Sequence, residues 1–347
     1  MTTDLTGGLG DEREFLFEER PDDPEMRESV NMWLWDDDGI VGLPRVGVEA
    51  VGESWETHEI QLNLSMKGGR VLNGYGPHPS HDPIGADGRP RISGSGPLSF
   101  ELVEPFRHWR ARYDGIATET SVSEQLGGWF PGFSGGPEVP VSFEFDLRSA
   151  APPWETGSLL EDAAWVMANQ EEGDLMGGPR FEQLFLAEGA LRVGDEEFPI
   201  HGGGLRVRRT GVRRLATFWG HAWQSAVFPS GRAFGHCVYP PRADGKPTFN
   251  EGFLFEGEGE LIPARVVQAP WLTTLSADPQ DVTVVLETAD GTTTIEGETI
   301  LPTFMVMPEG VGPGLTLQQT IARYTWDGET ANGMLERSTP TAQVEGA

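Results

Sequence analysis

The sequence has a single cysteine, Cys237, among 347 residues. One cysteine cannot form an internal disulfide, so the fold must depend on its packed core. Phe234–Tyr239 is typical of a strand, in which Cys237 is expected to be a small buried residue rather than a nucleophile. No window reaches 18 apolar residues, and Met1–Glu14 has neither a basic start nor an apolar run. We therefore expect no membrane span and no signal peptide, and predict a cytoplasmic protein.

Basic residues are scarce, with 25 Lys and Arg against 54 Asp and Glu and a net charge of −29. An acidic surface repels phosphate backbones and anionic lipids, so neither nucleic acid nor a membrane is an expected partner. Only 4 Tyr accompany 11 Trp and 18 Phe. Large aromatic side chains with few hydroxyls suit an apolar cavity as well as a core, and the expected partner is a hydrophobic small molecule.

The distribution of apolar residues predicts an all-β fold. Two-residue alternation, as in Glu59–Met66, recurs along the chain, and turn sequences such as Asp244-Gly245 separate the apolar runs. After residue 181, about nine such runs in ~150 residues predict a closed or nearly closed antiparallel barrel. The first half shows at least six runs of the same kind. We predict two tandem antiparallel β-barrels or sandwiches joined by a short helical linker.

Composition divides the chain into five predicted segments. They are an acidic N-terminal arm (1–28), a first β-barrel (29–150), a linker (151–180), a second β-barrel (181–337) and a flexible tail (338–347). Ser158-Leu-Leu-Glu161 resembles a capping box and predicts a helix over residues 159–170. The segments 74–97 and 127–140 are rich in Gly and Pro, and we expect them to be loops at the mouth of a binding site.

Short matches in both halves carry a resemblance to a known family. In the first half they are Trp33-Leu-Trp35, Leu43–Val48, Pro105–Trp109 and Tyr113-Asp-Gly115; in the second, Phe181-Glu-Gln183, the glycines 202–204, Arg206, Gly211, Arg213, Trp219, Trp223, Gly328 and Gly333-Met-Leu-Glu336. Over residues 29–337 the pattern resembles the carotenoid 1,2-hydratase (hydroxyneurosporene synthase) superfamily and the tandem lipocalin-like pericyclases related to it by fold. The resemblance implies two lipocalin-like barrels and a large hydrophobic substrate.

One segment, Gly202–Arg214, departs from that family's motif. Aligned on its glycines, the family's acid falls on Val207, its histidine on Arg208, its tryptophan on Thr210 and its last aspartate on Arg214. The resemblance implies a carboxylic acid of raised pKa that protonates an alkene. Valine cannot donate a proton and arginine retains its own. We therefore expect any chemistry here to use other residues.

The same segment concentrates five arginines, namely Arg206, Arg208, Arg209, Arg213 and Arg214. Arg206 and Arg213 are our candidate ligand-binding residues, because guanidinium groups bind carboxylates or phosphates through paired hydrogen bonds. In an extended strand, Arg206 and Arg208 share one face and Arg209 takes the other. The alternative is that these side chains pair with nearby acids such as Asp195–Glu197.

Alternation places Trp219, His221 and Trp223 on one face of a predicted strand. Two indoles and an imidazole would form a ligand wall in which His221 exchanges protons near neutral pH, although a core stripe has the same pattern. His236, on the next predicted strand, is the second candidate catalytic residue because it could be a cross-strand neighbour of His221. The register that would place them together is not fixed by sequence.

Trp33 and Trp35 share a face in the first barrel and are the other candidate ligand-binding residues, with core packing as the alternative. His78, His81 and Asp82 are too loosely spaced to indicate a metal, and we predict no metal site. No phosphate loop, dinucleotide fingerprint or nucleophile elbow is present, so no cofactor is predicted.

Three functions remain open at this point. The first is a cofactor-independent lyase, hydratase or isomerase/cyclase acting on a terpenoid, steroid, carotenoid or polyketide. The second is a non-catalytic carrier of a hydrophobic ligand, which the substituted acid and histidine positions favour. In the third, the second barrel is structural only, and any site lies in the first barrel or at the domain junction.

Overall fold

The computed structural model describes residues 3–169, 173–175, 178–215, 217–307 and 314–345. Within them, antiparallel strands build two sheets, which confirms the predicted all-β fold. The first sheet contains β1 (Met26–Asp36), β2 (Val41–Val51), β3 (Thr57–Met66), β4 (Arg70–Pro79), β5 (Ile92–Ser95), β6 (Leu98–Glu104), β7 (His108–Ser121), β8 (Glu138–Ser149), β9 (Trp154–Glu155), β10 (Arg180–Val193) and β11 (Glu196–Val212). Its order is β4-β3-β2-β1-β11-β10-β8-β7-β6-β5, and β4 also pairs with β7, so the path closes on itself.

The second sheet is a closed barrel in which each strand pairs with the next and β19 returns to β12. Its strands are β12 (His221–Val227), β13 (Ala233–Val238), β14 (Asn250–Phe255), β15 (Ile262–Gln268), β16 (Val284–Thr288), β17 (Gly291–Val306), β18 (Leu315–Trp326) and β19 (Glu329–Pro340). Two short helices, α1 (Val122–Leu126) and α2 (Glu161–Met167), lie between strands of the first sheet. The described residues contain no helix of the length and apolarity that crossing a membrane requires.

Strand pairing groups the chain differently from the segments drawn on the sequence. The β10–β11 hairpin pairs with β8 and β1 of the first sheet, although the sequence analysis places residues from 181 onward in the second barrel. Periodicity identifies a strand but not its partner, which explains the difference. At the other end, β19 extends to Pro340 through part of the predicted flexible tail, and Gly346 and Ala347 lie outside the described residues.

Helix α2 is shorter than predicted, and its first turn is held by a distant carboxylate. The backbone N–H groups of Leu159 and Leu160 each donate to Glu251 Oε1 at 2.8 Å, in place of the expected cap by Ser158. Glu251 belongs to β14 and also accepts from Trp154 Nε1 at 2.7 Å. The linker is therefore fastened to the second barrel by a buried carboxylate. The predicted helix end at residue 170 lies outside the described residues.

Alternation along β1 separates two cores. Val30, Met32 and Leu34 pack inside the first barrel, whereas Trp33 and Trp35 join a cluster that the two barrels share. From the second barrel, Trp223 and Cys237 enter the same shared cluster, with Met334 and others. The rings of Trp33 and Trp223 meet edge to face at 4.6 Å. Trp33, Trp35 and Trp223 thus point out of their barrels and toward each other.

Candidate functional site

A cavity of about 560 Å³ lies between the two barrels. Six of its lining residues carry chemical groups of interest: Arg45, Glu49, Arg213, His221, Glu336 and Ser338. The first two project from β2, and the last three from neighbouring strands β12 and β19 of the second barrel. The site is therefore assembled only when the two barrels are packed together.

His221, Glu336 and Ser338 form a continuous hydrogen-bonded chain on the cavity wall. The imidazole Nδ1 of His221 lies 2.7 Å from Ser338 Oγ, and its Nε2 lies 3.2 Å from Glu336 Oε1. Glu336 and Ser338 alternate on β19 and so share a face. An imidazole between a hydroxyl and a carboxylate is suited to proton transfer, because the carboxylate orients the ring and stabilises its protonated form.

Gly220 explains how His221 comes to lie against β19. Its φ of +121° turns the chain into the start of β12, a conformation that side-chain-bearing residues rarely adopt. A Cβ at this position would lie 2.5 Å from the carbonyl oxygen of Ser338. Glycine thus permits both the turn and the close backbone approach that pairs His221 with Ser338.

The carboxylate of Glu336 is held in its ionised form. Burial acts to raise its pKa, but the hydrogen bond with His221, the charge of Arg45 and a hydrogen bond from Gln319 lower the pKa to about 2. Gln319 Nε2 donates to Glu336 Oε2 at 2.6 Å, and Asn63 of β3 donates to Gln319 Oε1 at 3.2 Å. With Glu336 as an obligate acceptor, we assign the neutral imidazole as the Nε2–H tautomer, in which Nδ1 accepts from Ser338.

Replacing Glu336 with glutamine should flatten the acid limb of the stability profile. The folded pKa of about 2 lies below the unfolded value of about 4.3, so ionisation stabilises the fold above about pH 4.3, and this contribution is lost as the pH falls toward 2. Urea unfolding across this window should show a steeper loss of stability for the parent than for the variant. The exposed Glu197→Gln variant is the control, and equal slopes for Glu336→Gln and the parent would contradict the assignment.

The second predicted catalytic residue, His236, lies on the opposite side of the barrel wall. The β12–β13 register pairs it with Gln224, whose Oε1 is 2.8 Å from His236 Nε2. His236 is fully buried, and burial lowers its pKa to about 3, so its ring is neutral. The structure therefore does not bring His236 together with His221.

The predicted tryptophans do not line the cavity directly. Trp33, Trp35 and Trp223 are buried behind its wall in the shared cluster, where Trp223 Nε1 donates to Glu182 Oε2 at 2.9 Å. Trp219 precedes β12, because the turn at Gly220 breaks the alternation on which the prediction rested.

Trp219 lines a different and more open cleft of about 780 Å³ at the end of the second barrel. There Arg242 packs on its indole ring at 4.9 Å, and Trp271 contributes to the wall. None of the described residues that line this cleft is a histidine. We therefore place the candidate site in the cavity between the barrels.

Arg206, a predicted ligand-binding residue, is buried in an ion pair. Its Nη1 and Nη2 donate to the two oxygens of Glu14 at 3.0 and 2.7 Å, and its guanidinium stacks over Trp109 at 4.8 Å. Arg208, on the same face, pairs with Glu28 at 2.7 Å. These two arginines thus pair with acids, which was the alternative to ligand binding. The acids come from the N-terminal arm and β1 rather than from residues 195–197.

Arg213 does line the cavity, together with Arg45, which sequence reasoning did not select. The guanidinium of Arg45 lies 5.5 Å from the Trp33 ring, and Arg213 donates its Nε–H to the carbonyl of Leu175 at 3.3 Å. Arg45 faces outward because β2 alternates, with Val46 and Val48 filling the first barrel.

The loop predicted over 127–140 contributes to the mouth of the cavity, and β8 begins within it at Glu138. Phe130 and Phe133 of this loop line the cavity, as does Tyr75 of β4. Phe133 is 72% exposed and Tyr75 is 54% exposed, so the entrance is aromatic and open to solvent. Such an entrance favours an apolar ligand.

Two sequence expectations concern other polar groups. Among the described residues, no group of three or more His, Cys, Asp or Glu side chains could hold a metal ion. His81 instead bonds the carbonyl of Gly96 at 3.0 Å. Cys237 is a buried free cysteine, and burial raises the pKa of its thiol.

The fold defines the class of this protein, that of all-β proteins built from two packed antiparallel sheets. Within that class, the chain belongs to the family described as Domain of unknown function (DUF7064), which matches residues 11–341. Among curated proteins, none matches the sequence. The narrower resemblance to the carotenoid 1,2-hydratase superfamily stays a prediction.

Solved structures with a similar course of the chain include an AttH-like protein of Nitrosomonas europaea, at 14% identity and a TM-score of 0.58, covering 91% of this chain and 92% of that one. CghA in complex with Sch210972 has 12% identity and a TM-score of 0.49, with coverages of 93% and 90%. Kievitone hydratase from Nectria haematococca has 10% identity and a TM-score of 0.44, with coverages of 95% and 94%. At such identities the likeness to the AttH-like protein establishes the fold alone.

Proposed function

We propose that this protein is a cofactor-independent enzyme that moves a proton on a hydrophobic small molecule bound between its barrels. The reaction class is that of a lyase, hydratase or isomerase/cyclase. The observation that carries the proposal is the chain of Ser338, His221 and Glu336 on the wall of a cavity with an aromatic entrance. Each member holds a separate role, with His221 exchanging the proton, Glu336 orienting and stabilising the imidazolium, and Ser338 relaying the proton at Nδ1.

The acidity of the proton donor narrows the reaction. An imidazolium is a weak acid, and an isolated alkene carbon is too weak a base to accept its proton at a useful rate. Addition of water to an alkene conjugated with a carbonyl, or loss of a hydroxyl β to a carbonyl, is within its reach, because the negative charge that develops at the α carbon is shared with the carbonyl oxygen. We therefore place carbonyl-conjugated polyketides, terpenoids and steroids ahead of carotenoid hydrocarbons as substrates.

In a hydration on this wall, water would add at the carbon β to the carbonyl while the protonated imidazole of His221 delivers its proton, through Ser338, to the α carbon. The added water would then return its proton to the imidazole, so His221 ends the cycle in its starting state. Dehydration follows the same steps in reverse, and isomerisation omits the water. Each step needs only protein groups and, for hydration, one water molecule.

The test is incubation of the full-length protein in D₂O with a panel of conjugated and saturated ligands of each class. Calorimetry measures binding, and mass spectrometry of the recovered ligand measures conversion and deuterium uptake. We expect at least one conjugated ligand to be converted, or to gain deuterium at carbon, above the rate in protein-free buffer. Saturated ligands of the same skeleton should bind and be recovered unchanged.

Binding of the whole panel with neither conversion nor deuterium uptake would contradict an enzyme and favour the carrier. Deuterium uptake is the more sensitive signal, because a reversible protonation labels the ligand even when the equilibrium lies with the starting material.

A further inference from the structure

Two half-buried arginines in the cavity lack the direct acidic partners that the buried Arg206 and Arg208 have. Within the described part of the chain, neither Arg45 nor Arg213 forms a salt bridge, whereas Arg206 and Arg208 each contact a glutamate. The Nε of Arg45 is buried without a hydrogen-bond partner, and its Nη2 reaches only the amide oxygen of Asn31 at 3.5 Å. Unpaired guanidinium groups are unusual in a chain with an excess of 29 negative charges.

The carboxylates near the cavity make their direct contacts with groups other than Arg45 and Arg213. Glu49 contacts Arg27 and lies 3.7 Å from Arg209, and Glu336 is bonded to His221 and Gln319. The third acidic lining residue, Glu59, is exposed. Arg45 and Arg213 therefore have no carboxylate in direct contact, although the charges of Glu49 and Glu336 act on this wall from beyond salt-bridge distance.

We propose that the natural ligand carries a carboxylate that binds between Arg45 and Arg213, with its apolar body directed to the aromatic entrance. This inference deepens the proposed function and rests on ligand binding in the same cavity. Both arginines line the cavity, and guanidinium groups bind carboxylate through short, charge-assisted hydrogen bonds. A bound carboxylate would supply the acceptors that the protein itself does not supply.

The placement also orients the ligand for proton transfer. The charge of Arg45 acts on Glu336. The wall formed by Arg45 and Arg213 therefore belongs to the same part of the cavity as the hydrogen-bonded chain that contains His221. A carboxylate held at the arginines would place the carbon atoms next to it near the imidazole. The substrate class is therefore an unsaturated or hydroxylated carboxylic acid with a large apolar body.

The test uses a matched pair of fluorescent probes, 1-pyrenebutyric acid and 1-pyrenebutanol, titrated into the full-length protein at neutral pH. The parent should bind the acid about 10- to 100-fold more tightly than the alcohol. In Arg45→Gln/Arg213→Gln that preference should disappear, while the affinity for the alcohol stays within about twofold. Added salt should weaken binding of the acid only.

Arg214→Gln is the matched control, because Arg214 is an exposed neighbour paired with Glu25 and Asp174. It should keep the full preference for the acid, and thermal melts should show that each variant is folded. Equal affinity of the parent for both probes, binding of neither probe, or an unchanged preference in the double variant would overturn the inference.

The outcomes separate this inference from the proposed function. Binding of the alcohol without a preference for the acid removes the anion site and leaves proton transfer in the cavity standing. A preference for the acid that depends on Arg45 and Arg213, with no conversion or deuterium uptake in the ligand panel, supports the anion site and contradicts the enzyme.

Discussion

His221→Gln should lower the rate of conversion or deuterium uptake by about 10²- to 10⁴-fold, the usual contribution of a positioned general acid or base. Glutamine keeps hydrogen-bonding groups near Ser338 and Glu336 but cannot exchange a proton near neutral pH. Binding of the ligand should change little, because the cavity keeps its shape and its arginines. The measurement is kcat and KM for the fastest-reacting ligand of the panel, with calorimetric affinity as the independent check.

The matched control is His236→Gln, a substitution of the same kind in the same barrel. His236 faces away from the cavity and bonds Gln224, so we expect a change in stability with a rate close to that of the parent. A large loss of rate in His236→Gln together with an active His221→Gln would reverse the assignment of the two histidines. If His221 is catalytic, its replacement should lower kcat and leave KM nearly unchanged.

Local periodicity predicted a large part of this fold. Alternating side chains identified β1 and β3 and divided Arg206 and Arg208 from Arg209, because the side-chain period of a strand is fixed by backbone geometry. The same logic grouped Trp33 with Trp35 on one face. Both indoles are on that face in the structure, in the shared cluster between the barrels.

Pairing between distant strands was beyond the sequence. A strand of suitable pattern can join either sheet, and the β10–β11 hairpin joined the first one, next to β1. The ion-pair partners of the buried arginines could not be predicted for the same reason, since Glu14 and Arg206 are 192 positions apart. Charge alone made residues 1–28 resemble a solvated arm, whereas burial of Glu14 depends on a guanidinium contributed by β11.

The glycine run at residues 202–204 illustrates a motif with a packing role. A Cβ on Gly204 would lie 2.1 Å from the Phe185 ring, and one on Gly203 would lie 2.9 Å from the Trp35 ring. These glycines let large aromatic side chains pack against the backbone of β11. They belong to the architecture of the first barrel, which is consistent with a fold-level resemblance even though the acid and histidine positions of the motif are substituted.

A sequence signal for the site was present, although it was not interpreted as one. Glu336 lies within the Gly333-Met-Leu-Glu336 match, and Ser338 follows it at strand spacing, which places both side chains on one face. Treating residues 338–347 as a tail hid that relation. The direct pairing of His221 with Ser338, which makes the constellation visible, is a property of the β12–β19 register.

Glu14→Ala should lower the free energy of unfolding by about 3–5 kcal/mol, as removal of one partner from a buried ion pair does. The Glu14 side chain is fully buried, Arg206 is nearly so, and two guanidinium N–H groups and the backbone N–H of Phe106 donate to the carboxylate. Without the Glu14 carboxylate, the buried guanidinium of Arg206 loses its counter-ion. It still donates to Gln183 Oε1 at 3.1 Å. Urea unfolding followed by far-ultraviolet circular dichroism measures the loss.

The double variant Glu14→Ala/Arg206→Met tests whether the loss of stability in Glu14→Ala comes from the unpaired charge of Arg206 or from lost packing. Removing both charges leaves no unpaired charge at this position, so much of the lost stability should return even though the cavity left by Glu14 remains. Glu25→Ala is the control on the same arm, where an exposed pair with Arg214 should leave the urea midpoint near that of the parent. Equal midpoints for Glu14→Ala and Glu25→Ala would mean that the N-terminal arm is not packed against the first barrel in solution.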